Sequence, residues 1–306
     1  MQSTSTLLMI RPCRFTFNKE TAVNNTFQSA QDTDAHELAL KEFDDFASLL
    51  QQHAIDVTVV QDSPTPHTPD SIFPNNWVSF HKGGTMVTYP MYAFNRRMER
   101  KSALIHELEK KFRITEKVDL SHYESTNQFL EGTGSLVLDR ENKIAYACLS
   151  PRTHATVLED FSQKLGYRIV SFVATDSGNI PIYHTNVMMC VADQFVVICL
   201  DAIAHKLERE KVVNEIEATK KEVIPITVNQ MNHFAGNMLQ VHNQNGEKIV
   251  VLSSQAYHSL SSFQLSKLET FNRIVHAKLE TIERNGGGSA RCMLAEVFLD
   301  KKLERL

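Results

Sequence analysis

Three residues of this sequence carry side chains suited to nucleophilic catalysis: Cys292, His184 and Glu131. A thiolate attacks an electrophilic carbon, an imidazole moves protons, and a carboxylate holds a substrate or orients the base. Cys292 follows three consecutive glycines in GGGSARCM (286–293), and glycine is favoured where backbone approaches another group closely. A tight loop that presents Cys292 is one interpretation. A helix end followed by a core cysteine is the other, because free cysteine is among the most buried residues.

A repeat gives these distant residues a reason to meet. Blocks with the order strand, hairpin turn, strand, helix, strand begin with SIFPNNWVSFH, FLEGTGSLVLDR, IPIYHTNVMMCV and HFAGNMLQVHN, and a fifth begins with SARCMLAEVFL. Alignment of the first strands gives five equivalent positions, at successive intervals of 55, 53, 53 and 55 residues: Asn76, Glu131, His184, Asn237 and Cys292. A constant internal period of this length indicates a repeat architecture.

The elements between these positions predict a closed ring. Apolar residues recur at helical spacing in HELALKEFDDFASLLQQH, RRMERKSALIHELEKKF and SSFQLSKLETFNRIVHAKLE. The fifth block lacks a helix, which the N-terminal strand LLMIRP and the first helix can complete, and closure leaves no exposed sheet edge. We therefore predict one α/β domain over residues 1–306 with pseudo-fivefold symmetry, first strands along the axis and neighbouring termini. An open doubly wound sheet is the alternative, but it requires crossover units instead of a hairpin in every repeat.

Composition excludes several classes of function. The net charge of −4, with both signs mixed along the chain, argues against nucleic acid as a partner. No apolar run approaches the ~18 residues that a membrane-spanning helix needs. The five cysteines are widely spaced without a C-x-x-C pair, which fits a reducing cytoplasm. Three of them are predicted to fill the core, as is the single tryptophan: Cys148, Cys190, Cys199 and Trp77.

Two further interpretations concern charged and metal-binding side chains. The basic cluster at Arg96, Arg97, Arg100 and Lys101 lies in a stretch of helical periodicity and is predicted to be a solvated helix face. Cysteine, histidine and glutamate are all zinc ligands, but C-x-x-C and H-E-x-x-H spacings are absent. Both common phosphate-loop patterns are also absent. We therefore expect neither a metal nor an organic cofactor.

Six motifs resemble those of the guanidino-group-modifying superfamily, which comprises amidinotransferases, arginine deiminases and dimethylarginine dimethylaminohydrolases. The motifs are DSIFPNN (70–76), RRME (96–99), EGTGSLVLDR (131–140), SPRTH (150–154), HTN (184–186) and GGGSARCM (286–293). The resemblance covers about residues 7 to 300. It implies a five-bladed α/β propeller of ββαβ repeats, the pentein fold, in agreement with the repeat. It also implies that Cys292 is the nucleophile, His184 the general acid and base, and Glu131 the carboxylate that binds the substrate head and the histidine.

The resemblance also implies a set of substrate-binding residues. Arg152 and Arg96 occupy positions that hold the α-carboxylate of an arginine-like substrate, and Asp70 the position that contacts its α-amino group. The set is completed by three asparagines: Asn75, Asn76 and Asn186. Relatives that act on a cationic guanidinium carry aspartate at the position of Asn76, and deiminases carry another aspartate at the position of Asn186. Asparagine both donates to a urea carbonyl and accepts from a urea NH2 group, which favours a neutral ureido substrate.

The stretch FPNNWVSFH is similar to the citrulline-utilisation hydrolase branch of the superfamily, which implies conversion of citrulline to ornithine, carbon dioxide and ammonia. Two alternatives within enzymes are hydrolysis of arginine or dimethylarginine, with Asp70 and Glu131 supplying the negative charge, and amidino transfer. A third alternative is a catalytically silent protein that binds amino acids. A small-molecule amino-acid substrate is the expected partner, with neither nucleic acid nor a membrane. The sequence leaves the oligomeric state open, with a homodimer as one option.

Overall fold

The structure is a computed structural model, which describes residues 1–29 and 35–302. The N-terminal part contains β1 (Thr6–Arg11), α1 (Lys19–Ala22), α2 (Ala35–Gln52) and β2 (Asp56–Gln61). The first repeat contains β3 (Val78–His81), β4 (Thr85–Thr88), α3 (Phe94–Arg97), α4 (Ser102–Lys111) and β5 (Glu116–Asp119). The second contains α5 (Gly132–Ser135), β6 (Val137–Asp139), β7 (Ile144–Cys148), α6 (Ala155–Leu165) and β8 (Arg168–Phe172).

The third repeat contains α7 (Thr185–Met188), β9 (Met189–Val191), β10 (Phe195–Ile198), α8 (Lys206–Ala218) and β11 (Glu222–Pro225). The fourth contains α9 (Val228–Asn232), β12 (Leu239–His242), β13 (Lys248–Ser253), α10 (Ser254–Ser259), α11 (Ser262–Phe271) and β14 (Arg273–Ala277). The chain ends with α12 (Glu280–Gly286) and β15 (Ala295–Glu296). Short 3₁₀ helices lie at Pro74–Asn76, Ser121–Thr126, Leu200–Ala202 and Ala290–Met293.

The strands form five three-stranded sheets, one for each repeat. In the first four, an inner strand pairs antiparallel with the middle strand, which pairs parallel with an outer strand that follows a helix. The fifth sheet has the order β15-β1-β2, with Leu8 opposite Ala295. The N-terminal strand therefore completes the last repeat, and the predicted five-bladed α/β propeller is confirmed. Thr4 Oγ1 donates to the Val297 carbonyl at 2.7 Å, which places the segment before β1 beside the segment that follows β15.

The hydrophobic core lies between each sheet and its helices. In α2 the apolar residues Ala39, Phe43, Phe46 and Leu50 recur every three or four positions, and all are fully buried. The predicted core positions of Trp77 and of three cysteines are confirmed, because all four side chains are buried. Among the residues that the structure describes, no helix is both long and apolar enough to span a bilayer.

The basic cluster was wrongly predicted as a solvated helix face. The predicted helix over RRMERKSALIHELEKKF is divided into α3 and α4, and two of the basic residues, Arg96 and Lys101, contact buried carboxylates. Lys101 Nζ lies 2.7 Å from Asp62 Oδ1 with both side chains buried, and Arg96 pairs with buried Glu99. Charged groups inside a protein require a partner, and these carboxylates supply it.

The helix predicted over SSFQLSKLETFNRIVHAKLE was also too long. The helix α11 ends at Phe271, and the residues after Asn272 form β14, which pairs parallel with β13. Alternate residues Val275 and Ala277 are buried in this strand, a period of two that is typical of a half-buried strand. The β-branched pair Ile274 and Val275 favours the extended conformation.

Candidate active site

The five aligned residues lie together at one end of the inner strands. Glu131 and His184 precede the single helical turns α5 and α7, and Asn76 and Cys292 lie in 3₁₀ helices before β3 and β15. Asn237 lies two residues before β12. All five side chains are buried. Sequence analysis placed them in strands; instead, a turn precedes each strand, and the turns of neighbouring repeats contact one another around the axis.

His184 and Glu131 form a buried pair. The distance from His184 Nε2 to Glu131 Oε2 is 2.7 Å, and the backbone N–H of Tyr92 donates to Glu131 Oε1 at 2.9 Å. Burial raises the pKa of Glu131, but the charge of Arg152 and the hydrogen bond and charge of His184 outweigh it and lower that pKa overall. Burial lowers the pKa of His184 to about 4, although the carboxylate opposes this shift.

The glycine segment joins the end of α12 to Cys292 and shares features of both interpretations, because Gly287 caps the helix and Cys292 is buried in the core while also lining the cavity described below. A Cβ atom on Gly288 would lie 3.2 Å from Cys292 Cβ and 2.9 Å from the Phe73 ring, so only glycine fits without displacement. The hydroxyl of Tyr183 donates to the Gly287 carbonyl at 2.5 Å and ties the loop to the third repeat.

Two asparagine side chains face the sulfur of Cys292. Asn237 Nδ2 lies 3.3 Å from Sγ, and Asn186 Nδ2 lies 3.5 Å from it. The Asn186 side-chain oxygen has no hydrogen-bond partner. The predicted substrate-binding residue Asn186 is therefore in contact with the sulfur itself.

A narrow cavity connects Cys292 and His184 with four of the predicted substrate-binding residues, and Asn75 does not line it. It has room for about one water molecule, since a water-sized sphere can occupy only about 10 Å³ of it. The lining residues are Thr21, Asn25, Asp70, Phe73, Asn76, Arg96, Arg152, Tyr183, His184, Gly286, Gly287, Gly288 and Cys292. His184 and Cys292 thus line the same cavity. Thr21 and Asn25, from the N-terminal part of the chain, also line it.

Arg96 lies in this wall but is already engaged. Its Nε and Nη2 atoms donate to the two carboxylate oxygens of Glu99 at 2.8 and 3.0 Å, and Nη1 donates to Asn76 Oδ1 at 2.8 Å. Asn76 Nδ2 is left without a partner. A Cβ atom on Gly134 would lie 2.4 Å from that nitrogen and 2.8 Å from His184 Nδ1, so this amide and the imidazole flank the same glycine.

Arg152 is held by the N-terminal part of the chain. Its Nε and Nη2 atoms donate to Asn24 Oδ1 at 2.9 and 2.5 Å, and Nη2 also donates to the Thr21 carbonyl. The guanidinium lies over the Tyr183 ring, 4.9 Å from its centroid, and Nη1 is 3.5 Å from Glu131 Oε2. Sequence analysis did not identify Asn24 or Tyr183 as site residues, because neither occupies one of the five equivalent positions of the repeat.

Two other predicted residues have unpaired polar atoms. Asp70 Oδ2 accepts from Asn18 and Thr21, whereas Oδ1 has no partner. Burial raises the pKa of Asp70 against the opposing charge of Arg96. Asn75 is fully buried, and neither atom of its side-chain amide has a partner. Within residues 1–29 and 35–302, no group of three or more metal-ligating side chains is arranged to hold a metal ion.

Comparison with known proteins decides the family. A family model described as N,N dimethylarginine dimethylhydrolase, eukaryotic, matches residues 11–299. The chain belongs to this family. With its structural neighbours, the match places the protein in the guanidino-group-modifying superfamily of pentein fold. A search of curated proteins by sequence gives no match.

The fold of this member of the dimethylarginine dimethylhydrolase family is similar to that of several solved structures. ArgZ, an arginine dihydrolase from the ornithine-ammonia cycle in cyanobacteria, is 18% identical with a TM-score of 0.76 over 95% of this chain and 40% of ArgZ. The N-terminal domain of ArgZ bound to its substrate gives a TM-score of 0.74 at 18% identity and is covered to 99%.

A dimethylarginine dimethylaminohydrolase variant, as an adduct with S-methyl-L-thiocitrulline, is 14% identical with a TM-score of 0.66 over 96% of this chain and 99% of that one. At these identities the likeness is one of fold. The present chain spans about two fifths of full-length ArgZ. The proteins named by these comparisons are enzymes that act on C–N bonds of guanidino compounds.

Proposed function

We propose that this family member is a cysteine-dependent hydrolase that converts citrulline to ornithine, carbon dioxide and ammonia. One observation carries the proposal: Cys292, His184 and Asn76 line a single cavity, Glu131 pairs with His184, and the free amide group of Asn76 is a hydrogen-bond donor. A nucleophile, a proton carrier and a donor for an oxygen atom are the parts that hydrolysis of a ureido group requires.

The reaction proceeds through a covalent intermediate on Cys292. The sulfur loses its proton to the neutral imidazole of His184 and attacks the ureido carbon. His184 returns that proton to the departing amino group, so ammonia leaves and a thiocarbamate remains on the sulfur. His184 then takes a proton from a water molecule, which displaces the sulfur. The carbamate of ornithine that results loses carbon dioxide.

The orientation of Asn76 favours a neutral head group. Arg96 donates to Asn76 Oδ1, which leaves the NH2 end of the amide unpaired beside His184. This end donates to the oxygen of a ureido group, whereas a guanidinium presents only N–H donors and finds no acceptor there. In this arrangement Arg96 positions Asn76 and is not available as a bidentate partner for a substrate carboxylate.

The remaining contacts orient the amino-acid end of the substrate. Arg152 offers a planar fork that suits an α-carboxylate, and the unpaired Oδ1 of Asp70 suits an α-ammonium group. Asn24 Oδ1 occupies the fork of Arg152 in this structure, and the cavity has room for only about one water molecule. Substrate binding therefore displaces Asn24 from Arg152 and moves the segment that covers the cavity.

Arginine is the second candidate substrate. The buried carboxylates of Glu131 and Asp70 interact electrostatically with Arg152 and Arg96. These two carboxylates supply the negative charge for a cationic substrate. ArgZ, which shares the fold, is an arginine dihydrolase. Hydrolysis of arginine at its guanidinium carbon yields a ureido group first, and the same cysteine chemistry then completes the reaction with a second ammonia.

One end-point assay separates these candidates. Purified protein is incubated with citrulline, arginine or dimethylarginine, and ornithine and ammonia are quantified. Equimolar ornithine and ammonia from citrulline support the proposal, and two ammonia per ornithine from arginine favour the second candidate. Full activity of Cys292→Ala, or no turnover of any of the three compounds, overturns the cysteine-hydrolase function. Cys13→Ser, which changes a half-buried cysteine outside the cavity, is the matched control and retains activity.

A further inference from the structure

Asn237 is the one residue among the five equivalent positions of the repeat to which no role has been assigned. It occupies the position in the fourth repeat equivalent to those of Glu131, His184 and Cys292, and its side chain is fully buried. We propose that Asn237 is a further catalytic residue, which stabilises the thiolate of Cys292 by donating a hydrogen bond from Nδ2 to Sγ. The inference rests on the proposed role of Cys292 as nucleophile.

The backbone around Asn237 determines which end of its amide faces the sulfur. Nδ2 donates to the Asn186 carbonyl at 2.9 Å, and a carbonyl only accepts. Oδ1 accepts from the Arg291 backbone N–H at 3.1 Å, and that group only donates. Exchange of the two amide ends would break both bonds, so the NH2 group is fixed at 3.3 Å from Sγ. The oxygen Oδ1 lies farther away, at 3.7 Å, where it can accept from the neutral thiol but offers nothing to the thiolate.

The surroundings of the sulfur make such a donor valuable. Cys292 is 3% exposed, so water contributes little to solvating a negative charge on Sγ. Hydrogen bonds to a charged acceptor are stronger than neutral ones, and in a buried site they replace the lost hydration. The second amide, Asn186 Nδ2, lies farther from Sγ at 3.5 Å. Asn237 is therefore the nearer of the two side-chain amide donors.

Asn237 acts on the sulfur without contacting the substrate. The cavity that Cys292 and His184 share is not lined by Asn237, although its Nδ2 lies 3.3 Å from Sγ. Its second N–H bond to the Asn186 carbonyl and its acceptor bond from Arg291 link the third, fourth and fifth repeats. Loss of Asn237 should therefore lower kcat and leave KM nearly unchanged, the opposite of what loss of a substrate-binding residue does.

The test measures the reactivity of the thiol without any substrate. Wild type, Asn237→Ala and Asn237→Asp are treated with iodoacetamide between pH 5 and 10, and alkylation of Cys292 is followed by mass spectrometry of its peptide. Asn272→Ala and Asn272→Asp are matched controls, because Asn272 is buried in the same repeat and makes two hydrogen bonds there without contacting the sulfur. Thermal unfolding verifies that each variant is folded.

We expect alkylation of Asn237→Ala at neutral pH to be about tenfold slower, with its pH midpoint about one unit higher than in wild type. Asn237→Asp keeps the acceptor for Arg291 and replaces the donor with a carboxylate, so its midpoint should rise further. If the alkylation midpoints of the Asn237 variants equal those of the matching Asn272 controls, the proposal is overturned. If Asn237→Ala does not fold, the comparison of Asn237→Asp with Asn272→Asp decides alone. Absence of turnover on every substrate would contradict the proposed function but leave this measurement intact.

Discussion

His184 Nε2 lies 2.7 Å from Glu131 Oε2 in the interior of the ring, although 53 residues separate them in the chain. The contact fixes one ring nitrogen on the carboxylate and leaves Nδ1 beside Gly134, which the Asn76 amide also flanks, and His184 lines the cavity. A histidine held in this way keeps one orientation and one tautomer when neutral, which is what proton transfer to and from a cavity requires.

Removal of the carboxylate should disable this histidine. In Glu131→Gln the amide no longer fixes the tautomer or stabilises the imidazolium that forms during proton transfer. We expect kcat to fall at least about 100-fold, which is the usual contribution of a positioned acid or base. Steady-state assays with citrulline measure this loss. Glu124→Gln, which changes a carboxylate paired with Arg100, serves as the control and should retain activity; an equal loss in both variants would contradict a special role for Glu131.

The acidic limb of the pH–rate profile should report His184. Because burial lowers the pKa of His184 to about 4, the imidazole is neutral at pH 6 and able to take the proton of Cys292. Below about pH 4 the ring is protonated and cannot act as the base, so kcat/KM should fall there and not near pH 6.5. Measurement of kcat/KM between pH 3.5 and 8, with stability verified at each pH, tests this; an inflection at or above pH 6.5 would disprove it.

Asn76→Asp should shift the preference from citrulline toward arginine. One carboxylate oxygen keeps the hydrogen bond from Arg96, and the other replaces the NH2 donor with a charged acceptor. A charged hydrogen bond contributes about 1.5 to 3 kcal/mol, so the ratio of kcat/KM for arginine to that for citrulline should rise about tenfold to a hundredfold. Parallel assays of the two substrates on one preparation provide their own control. A ratio that does not change would show that Asn76 does not determine head-group charge.

Arg152→Lys should impair binding more than chemistry. Lysine keeps the positive charge but loses the planar fork and the stacking over Tyr183. We expect KM for citrulline to rise about tenfold, with a smaller change in kcat. Arg168→Lys, which changes an exposed arginine paired with Glu215, is the control and should behave as wild type. An unchanged KM for Arg152→Lys would assign the α-carboxylate to another residue.

The repeat made the fold and the burial of Glu131, His184 and Cys292 around one axis predictable. Glu131, His184 and Cys292 recur at nearly constant intervals, and closure of five similar units brings equal positions to one axis whatever their distance in the chain. Asn237 was visible by the same signal, because it is the fourth member of the series. Its hydrogen bond to sulfur was not, since it depends on the backbone of two other repeats.

Contacts outside the repeat were not predictable in this way. Asn24 contacts Arg152, although 128 residues separate them in the chain. Asn24 lies in the N-terminal part, outside the repeats, so the repeat period does not predict this contact. The resemblance implies that Arg96 binds a substrate carboxylate, which stays a prediction, and the structure adds an internal partner for its guanidinium in Glu99, three residues later in RRME. The formation of a buried ion pair depends on tertiary packing, and the periodicity of a helix gives no information about that packing.

Glu283→Gln should stabilise the protein at alkaline pH without disturbing the glycine loop. Glu283 lies in α12 and accepts a hydrogen bond from Ser289 at 2.5 Å, and a glutamine oxygen can keep this bond. Burial raises the pKa of Glu283 to about 7, and the negative charges of Glu42 and Glu280 add to the shift. The native state therefore holds this proton more tightly than the unfolded chain does, and its stabilising contribution is lost as pH rises from about 4.5 through 7.

The variant has no such proton to lose. Its free energy of unfolding relative to wild type should therefore increase between pH 5 and pH 8, by on the order of 2 kcal/mol. Urea unfolding of both proteins at the two pH values measures the difference, and titration of other groups such as His184 cancels in the comparison. A difference that is the same at pH 5 and pH 8 would show that Glu283 titrates as an ordinary carboxylate.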